Sequence, residues 1–255
     1  MISVAISFED ENKGRGLVIA ADRGINLFPN LEVETRNFKF LSTKPPIVLS
    51  GYAATTQILE DFTRQFYYFL RDEEIKNCME LRTKIPMLLS LYRQMEKFYS
   101  ENKSGILAEF IVGMSDEEND AQIYYFNIYH RGGVAIEDIS LTTGYVVTAY
   151  GMEEGTLLLK EILEEIPSQR QALELSLILF QVFSERKFLV SDKVDVCILG
   201  PGAKLTILPD EKLEEEGIRG HLEKRWEALM EILKNGILMP KLLPWSLKYF
   251  LKNKI

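Results

Sequence analysis

Short runs of β-branched and apolar residues dominate the first fifty positions of the chain. These runs lie at 3–8, 16–22, 33–41 and 47–51, and the polar residues between the first two predict a hairpin turn. Apolar residues then recur at helical spacing, and the pattern later returns to strands and helices. The further predicted elements are helices at 53–71 and 75–99, strands at 107–114, 121–130 and 133–136, helices at 153–165 and 168–184, and strands at 194–199 and 204–208.

This order of elements predicts the fold class. Strands, two helices, strands, two helices and strands suit two stacked antiparallel sheets, each covered by a pair of helices. We therefore expect an α+β protein with a four-layer αββα sandwich. With 255 residues, the chain is long enough for one sizeable core. We assign 1–208 to this domain and 209–255 to a C-terminal helical extension.

Composition excludes several classes of function. A formal net charge of −8 disfavours nucleic acid as a partner, because phosphate backbones require clustered Lys and Arg. No apolar run approaches the roughly 18 residues of a membrane-spanning helix, and the opening residues do not resemble a signal peptide, so we expect a cytoplasmic protein without stable membrane insertion. Two cysteines, Cys78 and Cys197, and two histidines, His130 and His221, offer few ways to build a metal site or a Ser-His-Asp triad. We expect no cofactor and no metal.

Six segments carry a resemblance to a known family. They are SVAI at the start, VIAADR, IVLSGYAATTQIL, the GGVAIEDI and TTG segment, the Tyr150-Gly151 pair, and KVDVCIL. In this order and spacing they resemble the proteasome β subunits, one branch of the N-terminal nucleophile hydrolases, over about residues 3–208. The resemblance implies the αββα fold, a connection with protein degradation, and assembly into homo- or hetero-oligomers with proteasome-like subunits.

The resemblance also implies where a catalytic site would lie. In active members, the first residue is a threonine whose hydroxyl attacks the peptide carbonyl and whose own amine acts as base. That position falls on Met1, which has no hydroxyl. The acidic position falls on Asp22 and is retained, whereas the lysine position falls on Asn37. Lys39, two residues on and therefore on the same strand face, is a possible replacement.

The supporting positions of the family differ as well. Tyr145 stands at the position of one serine, Lys187 at that of an aspartate, and Val190 at that of a second serine. Because such groups act as a unit, losing them together predicts an inactive protein with a structural, assembly or binding role. The alternative is an active N-terminal nucleophile peptidase or amidohydrolase that uses Ser3 after processing. A third possibility is a module that binds a peptide or small ligand in the cleft beside Asp22 and Asn37.

The end of the chain differs in character from the predicted domain. Residues 236–255 contain no acidic residue but carry four lysines and several large apolar side chains, including Trp245, Tyr249 and Phe250. Large aromatic side chains rarely stay exposed on a soluble surface. We therefore expect this segment to pack on the domain or on a neighbouring subunit.

Overall fold

The computed structural model describes most of the chain, and within the described part it defines twelve strands and five helices. The described residues are 2–10, 13–23, 25–28, 31–33, 38–53, 56–88, 106–129, 133–148, 152–163, 165–185, 193–218 and 220. The strands are β1 (Ser3–Asp10), β2 (Gly14–Asp22), β3 (Ile25–Phe28), β4 (Leu31–Val33), β5 (Lys39–Thr43), β6 (Pro46–Ala53), β7 (Ile106–Ser115), β8 (Ala121–Tyr129), β9 (Gly133–Asp138), β10 (Tyr145–Val147), β11 (Val194–Gly200) and β12 (Lys204–Leu208). The helices are α1 (Thr56–Asp72), α2 (Cys78–Lys84), α3 (Met152–Ile162), α4 (Gln169–Glu185) and α5 (Asp210–Glu215), with 3₁₀ turns at Ile85–Met87 and Ile139–Leu141.

Ten of these strands form two five-stranded antiparallel sheets. The first sheet has the order β10-β1-β2-β11-β12, and the second has the order β5-β6-β7-β8-β9. Within the first sheet, β1 pairs with β2 from Ser3 opposite Ala21 to Asp10 opposite Gly14. The predicted α+β fold of two antiparallel sheets with helices is confirmed.

Strand alternation distributes the apolar residues over three layers. On β1, Val4 and Ile6 face the core shared with α3, α4 and α5, while Ala5 faces the layer between the two sheets. On the second sheet, Phe110 packs under α1 with Phe62, whose ring centroid lies 4.2 Å away. The central strands of each sheet therefore have buried residues on both faces.

One glycine lets the two sheets approach closely. A Cβ atom on Gly113 of β7 would lie 2.6 Å from Cδ1 of Ile19 on β2 and 3.2 Å from Cδ1 of both Leu17 and Leu199. Those three side chains come from the opposing sheet and belong to the layer between the sheets. The absence of a side chain at Gly113 therefore leaves the space that they fill.

The segment predicted as one strand over 33–41 contributes to two different sheets. Val33 pairs with Ile25 in the small β3-β4 hairpin, whereas Lys39 pairs with Leu49 in the second large sheet. Alternation alone does not reveal this division, because both parts have strand-like patterns.

The predicted second helix begins later than its periodicity indicated. Asn77 caps α2 by accepting a hydrogen bond from the backbone N–H of Glu80 at 2.8 Å. The helix ends at Lys84, and a 3₁₀ turn containing Pro86 follows. The remainder of the predicted helix, from 89 to 99, lies outside the described residues.

The first part of the predicted C-terminal extension packs on the sandwich. Leu213 of α5 is buried in the core that lies against the first sheet. The rest of the extension, including Trp245, Tyr249 and Phe250, lies outside the described residues. Among the helices that the structure describes, none is both long and apolar enough to cross a membrane.

Candidate functional site

The candidate site lies at the start of β1, where the two sheets face each other. Ser3 begins β1, and Thr148, directly after β10, lies beside it in the first sheet. Ser50 of β6 approaches from the second sheet. All three residues are fully buried. The start of β1 thus brings three hydroxyl groups into the layer between the sheets.

Both the hydroxyl and the backbone of Ser3 are engaged. Its Oγ lies 2.7 Å from Oγ of Ser50, and its backbone N–H donates to Oγ1 of Thr148 at 2.9 Å. The backbone N–H of Thr148 in turn donates to the carbonyl of Ser3 at 2.9 Å. Within the described part of the chain, no lysine or arginine side chain hydrogen-bonds this hydroxyl cluster of Ser3, Ser50 and Thr148. A nearby cation that would favour an ionised nucleophile is thus missing from these contacts.

Asp22 is the last residue of β2 and lies next to the start of β1. Its Oδ1 accepts a hydrogen bond from the backbone N–H of Ile2 at 2.7 Å, and its own N–H donates to the carbonyl of Ile2 at 3.2 Å. Ile2 and Asp22 are both completely buried. The retained acidic residue therefore fixes the backbone before Ser3 and holds Ile2 in the core.

A partly buried ionic network lies directly after Asp22. Arg23 donates through Nε and Nη2 to Oδ1 of Asp195, at 2.9 and 2.6 Å, and through Nη2 to Glu211 of α5 at 2.7 Å. The hydrogen bonds that Arg23 donates to Glu211 and Asp195 raise the pKa of Arg23, and the guanidinium lowers the pKa of Glu211 to about 2. The same Asp195 oxygen accepts from the backbone N–H of Asp210 at 3.0 Å. This network ties α5 to the first sheet at the end of β2.

The second sheet contributes a buried carboxylate that the sequence analysis did not single out. Glu109 of β7 is only 1% exposed and accepts a hydrogen bond from the hydroxyl of Tyr125 at 2.5 Å. In the sheet it lies opposite Tyr52, two residues after Ser50. Gly51 between them has φ of +148°, and a Cβ there would lie 2.1 Å from the carbonyl oxygen of Glu109. Only glycine allows β6 and β7 to approach in this way.

Two residues from the sequence-based assignment lie away from the hydroxyl cluster. Lys39 is exposed and pairs with Leu49, whose side chain belongs to the core under α1 and α2. Tyr145 pairs with Ile6 and packs in the core of the first sheet and its helices, where burial raises the pKa of its hydroxyl. The structure thus brings together Ser3 and Asp22 at the start of β1 but not Lys39 or Tyr145.

Met1, Asn37, Lys187 and Val190 lie outside the described residues, as do both histidines. Ser50 and Thr148 were missed, because each is a single hydroxyl residue within or beside an apolar run. Thr148 is 145 positions from Ser3, so only strand pairing reveals their contact.

The two cysteines and the described acidic residues show no second reactive or metal-binding group. Both thiols are buried. Burial raises the pKa of Cys197 to about 12, and burial followed by the neighbouring Asp116 raises that of Cys78 still further. Thiols of this kind are poor nucleophiles, because the thiolate is the reactive form. The described residues include no group of three or more His, Cys, Asp or Glu side chains able to hold a metal ion.

Comparisons with known proteins show similarity at the level of the fold. No family model and no curated protein matches the chain. Among solved structures, Anbu (ancestral beta-subunit) from Yersinia bercovieri superposes with a TM-score of 0.67 and 15% identity, covering 92% of this chain and 97% of that one. Anbu from Hyphomicrobium sp. strain MC1 gives 0.60 and 16%, covering 92% and 97%, and its Gly-1 mutant gives 0.63 and 14%, covering 92% and 99%. The chain therefore has a proteasome β-like fold.

Proposed function

We propose that this protein is a proteasome-β-like subunit without peptidase activity, and that its role is structural, in assembly or in binding. The observation that carries the proposal is the state of Ser3. Its side chain is completely buried, its hydroxyl contacts Ser50, and its nitrogen is an amide within a paired strand. A nucleophile of this family needs an accessible hydroxyl and a free amine on the same residue.

The residues around Ser3 support the same proposal. The carboxylate of Asp22 binds the N–H of Ile2, so in this arrangement it holds an uncleaved backbone. No lysine or arginine among the described residues hydrogen-bonds the hydroxyl cluster, and Met1 has no hydroxyl of its own. A neutral hydroxyl pair contributes to stability as an ordinary buried hydrogen bond.

A second candidate is an active hydrolase that uses Ser3 as its N-terminal residue. One contact favours it: Oγ1 of Thr148 lies 2.9 Å from the nitrogen of Ser3, where it would orient a free amine after cleavage. The cleavage would remove the buried side chain of Ile2 from the core and the N–H that Asp22 binds. For this reason it ranks second.

Two measurements on the native protein separate these candidates. Intact mass determines whether Ile2 is retained, and incubation with a peptide epoxyketone reports any terminal hydroxyl and amine that react together. We expect retention of Ile2, no adduct and no cleavage of fluorogenic peptides, with Ser3→Ala behaving identically. An epoxyketone adduct on Ser3 that is absent from Ser3→Ala would overturn the proposal in favour of the second candidate.

The assembly part of the proposal is tested separately by native mass spectrometry. We expect a homo-oligomer or a complex with other proteasome-like subunits, as the resemblance implies. A version ending at Asn235 tests whether the basic, aromatic-rich segment takes part, in which case the oligomer weakens. A full-length chain that remains a monomer, alone and with proteasome-like subunits, contradicts the assembly role without bearing on the peptidase result.

A further inference from the structure

A cleft separate from the hydroxyl cluster opens at the other end of β1. It has a volume of about 250 Å³ and is bordered by Ser7 and Phe8. Ser7 is four residues beyond Ser3, which corresponds to about 13 Å along a strand. The cleft therefore lies away from the site considered above.

Backbone hydrogen bonds hold the walls of this cleft against β1. On one side, the N–H of Ser7 donates to the carbonyl of Gly144 at 2.7 Å, and Oγ1 of Thr143 donates to the carbonyl of Tyr145 at 2.8 Å. On the other side, the N–H of Glu9 donates to the carbonyl of Pro167 at 3.0 Å. Both walls are thus fixed to the same strand, so the cleft is formed without a ligand.

The lining combines an apolar surface with two opposite charges. Leu163 and Ile166 provide apolar contacts, and Ile166 remains half exposed. Arg15 and Glu165 also line the cleft. Within the described residues, neither the guanidinium of Arg15 nor the carboxylate of Glu165 makes a hydrogen bond or an ion pair, and both side chains are exposed. Among its lining residues the cleft therefore has one cation, one anion and an apolar wall, and Glu9 of β1 lies directly opposite Arg15 in the sheet.

We infer that this cleft binds a zwitterionic α-amino acid with a large apolar side chain. Arg15 would bind the carboxylate, because its planar fork matches that geometry, and Glu165 would bind the ammonium group. The apolar side chain would lie against Leu163 and Ile166. A volume of about 250 Å³ is just below that of typical drug-sized pockets, so it suits an amino acid better than a nucleotide.

The two charges distinguish this ligand class from simpler ones. A carboxylic acid without an amine would place its negative charge in a cleft that also contains Glu165. An amine without a carboxylate would place its positive charge in a cleft that also contains Arg15. Only a ligand that carries both charges complements both side chains, and the apolar wall selects among such ligands.

The test uses L-phenylalanine and its two single-charge analogues, 3-phenylpropionate and 2-phenylethylamine, titrated into the full chain by calorimetry. We expect L-phenylalanine to bind at least about tenfold more tightly than either analogue, since each lacks one charge-assisted interaction. Arg15→Gln and Glu165→Gln should each weaken L-phenylalanine binding by about tenfold or more. In Glu165→Gln, 3-phenylpropionate should bind at least as well as to the native protein, because the repulsive carboxylate is gone.

Matched controls come from the exposed surface of α1, which covers the other sheet. Arg71→Gln and Glu60→Gln remove one charge of each sign and should leave the affinity for L-phenylalanine unchanged. Arg15 and Glu165 are exposed, so thermal melts of their variants should match that of the native protein. The inference fails if L-phenylalanine does not bind at millimolar concentration, if all three compounds bind equally, or if the control variants weaken binding as much as the cleft variants.

Discussion

We expect the protein to lose much of its stability when Arg23 is removed from its ionic network. Arg23 and Asp195 have side chains that are only 9% and 3% exposed, and two hydrogen bonds join them. Arg23→Gln would leave the carboxylate of Asp195 buried without its cation. Removing one partner of a buried ion pair costs about 3–5 kcal/mol, because the remaining charge is uncompensated. We expect this loss in the free energy of unfolding.

Urea unfolding at pH 7 and fixed protein concentration measures that loss. With an m-value of about 3 kcal/mol/M, the midpoint of Arg23→Gln should fall by about 1–1.7 M. Glu211→Gln is the matched control, because it removes the other partner of Arg23, whose side chain is 59% exposed. Water can replace that interaction, so the control should lose far less stability.

A double variant tests whether the uncompensated charge of Asp195 causes the loss of stability. Arg23→Gln combined with Asp195→Asn leaves no unpaired buried charge, so its loss should be clearly smaller than the sum of the two single losses. The reasoning is refuted if the two single losses simply add, or if Arg23→Gln is no more destabilising than Glu211→Gln.

Three further predictions concern other parts of the structure. The native pKa of Glu211, about 2, is below its unfolded value, so the stability that its ionised form contributes is present above about pH 4.3 and is lost as the pH falls toward 2. The urea midpoints of the native protein and Glu211→Gln should therefore converge over that range, and a constant difference between them would contradict this. Gly51→Ala should lower the free energy of unfolding by about 3 kcal/mol or more, because its Cβ would lie 2.1 Å from a backbone atom and its φ is +148°. Gly200→Ala, whose Cβ would lie 3.5 Å from the nearest atom, should be nearly neutral in the same urea assay. Neither Cys78 nor Cys197 should react with a thiol reagent until the protein unfolds, which an absorbance assay with and without urea would show.

Much of the sandwich was predictable because alternation and packing agree along its strands. On β1, the alternating Val4, Ala5 and Ile6 face opposite layers as the pattern indicated. The short strands were harder: β3 and β10 have four and three residues, too few to establish a period. Pairing partners decide their positions, and those partners are distant in sequence.

The candidate site was less predictable, because hydroxyl residues carry no periodic signal. The assignment of Tyr145 came from counting positions after a TTG motif, whereas strand pairing puts Thr148 beside Ser3. The same limit applies to the cleft. Arg15 and Glu165 are 150 positions apart in the sequence, and both line the cleft because Arg15 lies on β2, which pairs with β1, and Glu165 lies in a loop whose Pro167 carbonyl accepts a hydrogen bond from Glu9 of β1.

Under the proposed function, the burial of Ser3 and the absence, among the described residues, of a lysine or arginine hydrogen-bonded to the cluster have one physical cause. An ammonium group or an alkoxide in the layer between the sheets would need compensating charges or water, because isolated charges are costly to bury. Two neutral hydroxyls satisfy each other at 2.7 Å and need neither. The hydroxyl cluster can therefore be sealed against the apolar layer of Ala5, Ile19 and Ile111. Under the same proposal, the complete burial of Ser3 would also keep a peptide substrate from reaching its hydroxyl.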